Sequence, residues 1–187
     1  MKTENKVLYV LRLALTLLAI TAVVAAALAG VNSITRPIID RLTAEKTQQA
    51  IMTVLPGGGE ELADLPAVDF TGADLVSRVY RGENGYAIEV TPGGFDNTIT
   101  MMVGVDPEGR VLGISVISHT ETAGLGAVAA AETPAGEAFR GQFVGKSGDL
   151  AVTKDGGTLD AITGATITSR AICAGVNAAL ACAAALG

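Results

Sequence analysis

The chain has 187 residues, enough for one domain of ordinary size and an additional short segment. Its formal net charge is −6 and it has no block of basic residues, so we expect no nucleic-acid partner. Apolar residues make up 49% of the chain and its mean hydropathy is +0.45, which indicates contact with a lipid bilayer.

The N-terminal part predicts a membrane anchor. A short tail, residues 1–12, precedes residues 13–31, which are apolar apart from two threonines. In a helix this run spans about 28 Å, close to the hydrocarbon thickness of a bilayer. A signal peptide cleaved after Ala29 is the alternative, but the run exceeds the usual apolar length of such peptides. Three basic residues lie on each side, so charge does not indicate orientation.

Residues 32–69 are predicted to form a juxtamembrane helix and a linker. The helix is expected over 38–55, with Pro37 in its first turn and Pro56 beyond its end. Its apolar stripe is narrow, which suits either a packed spacer or a surface that contacts other membrane subunits. The glycine-rich residues 56–69 are predicted to be a loop.

Residues 70–187 are predicted to form an α+β domain. Four runs of strand-forming residues are separated by tight turns, which predicts an antiparallel meander. We expect helices around 135–143 and at the C-terminus to cover one face of this sheet, leaving the other exposed. A further short strand is expected at 150–153. The four main strands are predicted at Leu75–Arg81, Tyr86–Thr91, Thr98–Val105 and Val111–His119.

The cysteines do not suggest a metal site. Cys173 and Cys182 lie nine residues apart in the terminal helix, on opposite faces, so they cannot pair with each other and are expected in the core. With one histidine and no C-x-x-C pair, the sequence offers no zinc or iron–sulfur ligand set. A redox function would therefore need an organic cofactor.

A loop of sequence HTETAGLG, from His119 to Gly126, follows the fourth strand. Glycine-containing loops at strand ends often present functional groups on a rigid scaffold. The alternative is an ordinary connection to a helix, with Glu121 or Thr122 as a cap. No nucleophile–base pair is visible, because the sequence identifies no partner for His119, so no catalytic residue is assigned.

The stretch DAITGATITSR, residues 160–170, leads into the terminal helix. Gly164 predicts a turn, and Thr166 is expected to cap the helix by accepting from the amide of Ser169. Thr168 would then lie in the first turn. Such a helix start suits a phosphate group, although threonines at this place are usually caps only.

Lys154 precedes the turn at 155–157 that leads to this stretch. A lysine in such a place is usually solvated. A contact with a phosphate at the helix start is the functional alternative, since an ammonium group commonly binds phosphate oxygens.

The pattern D-x-x-x-G-A-[ST]-x-T is formed by Asp160, Gly164, Ala165, Thr166 and Thr168. It resembles the flavinylation motif of FMN-binding domains in the Rnf complex G subunit and in the C subunit of the sodium-pumping NADH:quinone reductase. The resemblance implies FMN joined to Thr168 by a phosphoester bond, placed there by a separate flavin transferase. No metal ligand is assigned, because one histidine and no C-x-x-C pair leave no ligand set.

Residues 119–126 resemble the family's H-x-E-T-P-G-L-G segment, with Ala123 in place of the proline. In the family this segment lies against the flavin ring. The resemblance therefore adds cofactor contacts to those expected from the motif and from Lys154: His119, Glu121, Thr122, Gly124 and Leu125.

The short chain, the single anchor and the VLPG turn at 54–57 are similar to the Rnf G subunit. This resemblance implies a redox subunit, without a complete active site of its own, of an ion-translocating ferredoxin:NAD⁺ oxidoreductase. It implies a single-pass protein of the inner membrane whose domain is extracytoplasmic, with the bilayer, other Rnf subunits and the transferase as partners. A flavin-bearing sensory or scaffold module, or a secreted soluble flavoprotein, are the alternatives.

Overall fold

The computed structural model describes residues 2–63 and 70–187. The chain forms two compact units, one ending at Ala44 and the other running from Glu45 to Gly187. The predicted division into tail, anchor, juxtamembrane segment and domain, with boundaries after residues 12, 31 and 69, remains a prediction.

A continuous helix, α1, runs over Lys2–Val54. Pro37 lies inside it, so the prediction of a separate helix that begins at residue 38 was wrong. A proline inside a helix removes one backbone hydrogen bond. Helix propagation adds one bond for every further residue, so long helical stretches on both sides can outweigh that loss.

In the first unit the apolar side chains of α1 from Leu8 onward are exposed. The segment Leu8–Val54 contains an 18-residue window of mean hydropathy 2.4, none of it buried, and it is long and apolar enough to cross a membrane. The hydroxyls of Thr16 and Thr21 donate to carbonyls one turn earlier, those of Arg12 and Leu17. These two hydroxyls are thus satisfied without water, as a bilayer requires.

The second unit contains an antiparallel five-stranded sheet in sequential order. This confirms the predicted α+β meander. The additional strand lies at residues 60–61, inside the predicted loop 56–69, and pairs with the second strand, so the loop prediction was wrong there. Residues 64–69 of that loop lie outside the described residues. The strands are β1 (Glu60–Glu61), β2 (Val76–Gly82), β3 (Gly85–Val90), β4 (Thr100–Val105) and β5 (Val111–Ser118).

Helices α2 (Pro134–Gly141) and α3 (Thr166–Leu186) contribute to the main core on one face of the sheet. A second cluster joins the last turns of α1, including Ile51 and Val54, to Ala87 and Met102 of the central strands. The prediction of an exposed sheet face was therefore wrong. Both β3 and β4 are buried throughout almost their whole length, because the two clusters cover both faces; the one charged side chain of these strands, Glu89, is buried as well.

The segment predicted as a strand at 150–153 is not a regular strand. Val152 makes one isolated bridge to Leu159, and a 3₁₀ turn follows at Thr153–Asp155. The side chain of Asn177 on α3 occupies both backbone groups of Leu150: it accepts from the amide at 2.9 Å and donates to the carbonyl at 2.9 Å. These groups are consequently not available for a strand partner.

Both cysteines of α3 are free and buried, as the sequence predicted. Burial raises the pKa of each thiol to about 11. Within the described residues, no cluster of histidine, cysteine and acidic side chains could hold a metal ion.

Candidate functional site

The site is built around the turn that starts α3. Gly164 has a φ of 77°, which an L side chain rarely adopts, so the predicted turn forms there. The Ser169 hydroxyl holds this turn from inside: it accepts from the amide of Ile162 at 3.0 Å and donates to the carbonyl of Ala165 at 2.9 Å. Ser169 is fully buried, and sequence reasoning did not assign it this role.

The helix start differs from the prediction. Ala165 occupies the N-cap position and no side chain caps the helix. The amide of Ser169 donates to the carbonyl of Ala165, so the predicted cap from Thr166 was wrong. The Thr166 hydroxyl instead accepts from Nζ of Lys154 at 3.2 Å. The amides of the first turn thus have no side-chain cap, and a cation lies beside them.

Thr168 lies in the first turn of α3 and only 1% of its surface is exposed. Its hydroxyl donates to Oε2 of Glu121, with 2.5 Å between the two oxygens. The other carboxylate oxygen, Oε1, accepts from the amides of Phe95 and Asp96, at 2.8 and 3.3 Å. Glu121 is 7% exposed, and these three donors satisfy its carboxylate where little water reaches it.

Two glycines make room for this contact. A Cβ atom on Gly126 would collide with the carboxylate of Glu121 and with the Thr168 hydroxyl, and one on Gly94 would collide with the other carboxylate oxygen. Glycine at both positions therefore lets the backbone close around the two side chains.

A cleft of about 270 Å³ opens over Thr168. Its apolar walls are Phe95, Leu125 and Ile167, all three exposed. Large apolar side chains gathered at one opening of a folded domain are typical of a binding site. The full lining consists of Phe95, Glu121, Thr122, Leu125, Gly126, Lys154, Gly164, Ala165, Thr166, Ile167 and Thr168.

Eight of the predicted site residues thus share one cleft, and three lie outside it. Gly124 and Asp160 line a neighbouring, more open groove of about 560 Å³. His119 is half-buried, its Nδ1 has no hydrogen-bond partner within the described residues, and it does not line the cleft.

Asp160 is held by its backbone. The Gln142 side chain pairs with it twice: Oε1 accepts from the Asp160 amide at 2.7 Å, and Nε2 donates to the Asp160 carbonyl at 3.2 Å. This fixes the first position of the motif against α2 while its carboxylate stays exposed.

The sequence did not single out Phe95 and Ile167. A signal was present for each: Phe95 is the one aromatic residue in the polar turn PGGFDN, and Ile167 lies between two threonines at a helix start. Apolar residues at such places have no core to enter, which is the pattern of a ligand contact.

An ion pair joins Asp155, which follows the cleft residue Lys154, to Arg170 of α3. The guanidinium of Arg170 donates to both carboxylate oxygens of Asp155, at 2.7 and 2.5 Å, and these hydrogen bonds lower the pKa of the Asp155 carboxyl. The pair connects the turn that carries Lys154 to the first turns of α3.

Comparison with known proteins gives the family. The G subunit of a Na(+)-translocating ferredoxin:NAD(+) oxidoreductase complex from Acetobacterium woodii is 32% identical over 206 residues, 95% of each chain. The G subunit of an ion-translocating oxidoreductase complex from Methanosarcina acetivorans is 34% identical over 174 residues, 88% of this chain and 89% of its own. The chain belongs to this G-subunit family.

The G subunit of an ion-translocating oxidoreductase complex from Pseudomonas aeruginosa is 44% identical to this chain over 92 residues. That match spans 48% of this chain and 43% of the Pseudomonas protein, less than half of its length. Residues 94–181 also match the FMN-binding domain family, and this range includes every residue that lines the cleft.

The side chains and amides that line the cleft of this chain are chemically suited to bind FMN. Exposed apolar walls suit a flat aromatic ring. Lys154 and the uncapped amides of α3 suit a phosphate, because both present donors and positive charge. The Thr168 hydroxyl lies in the same cleft, between these two kinds of surface.

Proposed function

We propose that this chain is an electron-transfer subunit of a membrane-bound, ion-translocating ferredoxin:NAD⁺ oxidoreductase complex. Its electrons would pass through FMN held by a phosphoester bond to Thr168. The observation that carries the proposal is the buried Thr168 hydroxyl beneath a cleft with apolar walls, a lysine and the free amides of a helix start.

Each part of the cleft has a role in this proposal. Lys154 and the first amides of α3 hold the phosphate. Leu125, Ile167 and Phe95 cover the ring and limit its contact with water. A flavin accepts two electrons together or passes them singly, so it can join one-electron and two-electron partners. The ester bond keeps the cofactor attached outside the cytoplasm.

The attachment site is tested in the full chain produced with a flavin transferase. The wild type should show flavin fluorescence in a denaturing gel, and Thr168→Val should show none, because valine has nearly the same shape but no hydroxyl. Thr163→Val is the matched control: it removes an exposed hydroxyl of the same motif, and fluorescence should persist. Fluorescence in Thr168→Val, or a flavinylated peptide that maps to Thr163 or Thr166, contradicts the proposal.

The role in a complex is tested in native membranes. The tagged chain should co-purify with multi-span membrane subunits, and its N-terminus should be intact. A sensory or scaffold module would purify without them, and a secreted flavoprotein would begin at Gly30. For the extracytoplasmic side, Glu108→Cys, in an exposed turn, should react with a membrane-impermeant thiol reagent in whole cells, since the two native cysteines are buried.

A further inference from the structure

The contact between Glu121 and Thr168 has the arrangement of a base and its nucleophile. The carboxylate oxygen Oε2 lies 2.5 Å from Oγ1 and accepts a hydrogen bond from it. A carboxylate in this position turns the hydroxyl proton away from other acceptors and raises the electron density on the oxygen. The Thr168 hydroxyl is therefore already bonded to a group that can take its proton.

The carboxylate is also fixed in place. Two backbone amides hold Oε1, which leaves Oε2 free to face Thr168, and the absence of side chains at Gly94 and Gly126 permits the approach. The arrangement therefore directs one oxygen of Glu121 at one hydroxyl.

We infer that Glu121 is a catalytic residue for the attachment of flavin to its own chain: it accepts the Thr168 proton, so the acceptor protein supplies the base. This inference rests on the proposed function. The donor is a flavin whose phosphate is joined to a second, leaving phosphate by a phosphoanhydride bond, and the transferase holds it. The bond between Oγ1 and phosphorus forms as the P–O bond to the leaving phosphate breaks. The leaving phosphate keeps the bonding pair and the proton passes to Oε2.

The groups next to Thr168 bind the phosphate and do not take the proton. Lys154, 3.2 Å from the Thr166 hydroxyl, and the first amides of α3 face the phosphoryl oxygens, whose charge they stabilise. Lys154 is not bonded to Thr168 in this structure, so it does not compete with Glu121 for the acceptor proton. Substitutions at Lys154 should then weaken phosphate binding, whereas those at Glu121 should slow the bond-forming step.

The test measures attachment to the full chain in detergent by a purified transferase with its flavin dinucleotide. Glu121→Gln keeps the shape of the side chain but cannot take a proton. The kcat of attachment should fall by about 100-fold or more, with the KM for the acceptor protein unchanged. Glu137→Gln, an exposed carboxylate on α2, is the matched control.

Several results would overturn the inference. Attachment to Glu121→Gln at the wild-type rate would do so, as would a slower rate with a lower unfolding temperature and a raised KM for the acceptor protein, which marks a structural role. If Glu121→Gln does not fold, Glu121→Asp replaces it: the shorter carboxylate should lower kcat at constant KM, and an unchanged kcat refutes the inference. Wild-type chain without flavin on Thr168 refutes the proposed function itself, whatever Glu121 does.

Discussion

Among the described residues, two helices are long and apolar enough to cross a membrane, and they have opposite surroundings. The most apolar 18-residue window within Leu8–Val54 has a mean hydropathy of 2.4, and 0% of it is buried. The corresponding window of Thr166–Leu186 has a mean hydropathy of 1.5, and 61% of it is buried. The first carries large aliphatic side chains with nothing in its own unit to cover them. The second is rich in alanine and packs against the sheet. Hydropathy alone does not separate an anchor from a core helix; side-chain size and available partners do.

The polar residues of the two helices differ in the same way. In α1 the hydroxyls of Thr16 and Thr21 bond to their own helix, which satisfies them in any solvent. In α3 the polar side chains reach other elements: Thr168 contacts Glu121, and Asn177 contacts Leu150. The helix that carries the candidate site therefore depends on the rest of its domain.

The largest effect is expected from charges in the apolar segment of α1. The double variant Leu18→Arg, Val23→Arg should lose membrane retention, since each arginine at the centre of a span costs about 2.5–3.5 kcal/mol. The measurement is the fraction that stays in the pellet after alkaline carbonate extraction. Val144→Arg, on an exposed position of the second unit, should be retained fully. If the double variant stayed in the membrane pellet, α1 could not be distinguished from α3 as the helix that spans the membrane.

A matched pair of isoleucines compares the helices directly. Ile172 of α3 is 0% exposed, and Ile172→Ala should lower the free energy of unfolding of the domain by about 2–5 kcal/mol through lost burial and a cavity. Ile20 of α1 is 58% exposed, and Ile20→Ala should leave the same transition unchanged. Both are measured by urea unfolding of the full chain in detergent. Equal effects would show that α1 also stabilises the domain through this segment.

The polar contacts of α3 should have an intermediate effect. Asn177→Ala removes two bonds to Leu150 and a third to Asp149, which should cost about 1–3 kcal/mol because buried backbone groups lose their partner. Chemical denaturation measures the loss. Gln48→Ala, which removes an exposed amide from α1, should change stability little. A neutral Asn177→Ala would mean that water replaces the side chain at Leu150.

The smallest effect is expected at the exposed pair of Asp155 and Arg170. Hydrogen bonds from Arg170 lower the pKa of Asp155 in the folded state, so the pair stabilises the fold above the pKa of the unfolded carboxyl and loses this contribution as pH falls through the folded pKa. Asp155→Asn should therefore lower the unfolding temperature slightly at pH 7 and not at all in acid. The difference should also shrink in high salt. A deficit that persists in acid contradicts this account.

The sheet and the motif turn could be predicted because their signals are local. Strand patterns placed β2 to β5 within two residues of their observed bounds, since tight turns set the register of a meander. The second core cluster could not be predicted, because it depends on which distant segment covers Ala87 and Met102. The continuity of α1 through Pro37 was missed for the opposite reason: the local signal for a helix start was outweighed by the helix on both sides.

The candidate site shows the same limit. Motif residues from 164 to 168 came together as expected, but the partner of Thr168 lies 47 positions away and its donors lie another 25 or 26 residues before it. The cap assigned to Thr166 was wrong because the helix begins one residue earlier than expected: Ala165 is the N-cap, and the Ser169 amide bonds its carbonyl. Resemblance placed Glu121 near the ring; only the packed structure brings its carboxylate to the acceptor hydroxyl.

The reactivity of the two cysteines can be used to measure how often α3 opens. Cys173 and Cys182 are 4% and 0% exposed, and a thiol whose pKa is about 11 remains protonated at neutral pH, so it reacts with alkylating agents only when the helix leaves the sheet. The rate of native-state alkylation thus reports how often each end of α3 opens. Because Cys173 lies one turn beyond Thr168 and Cys182 near the far end, mass spectrometry of the two labels can distinguish fraying at one end from release of the whole helix.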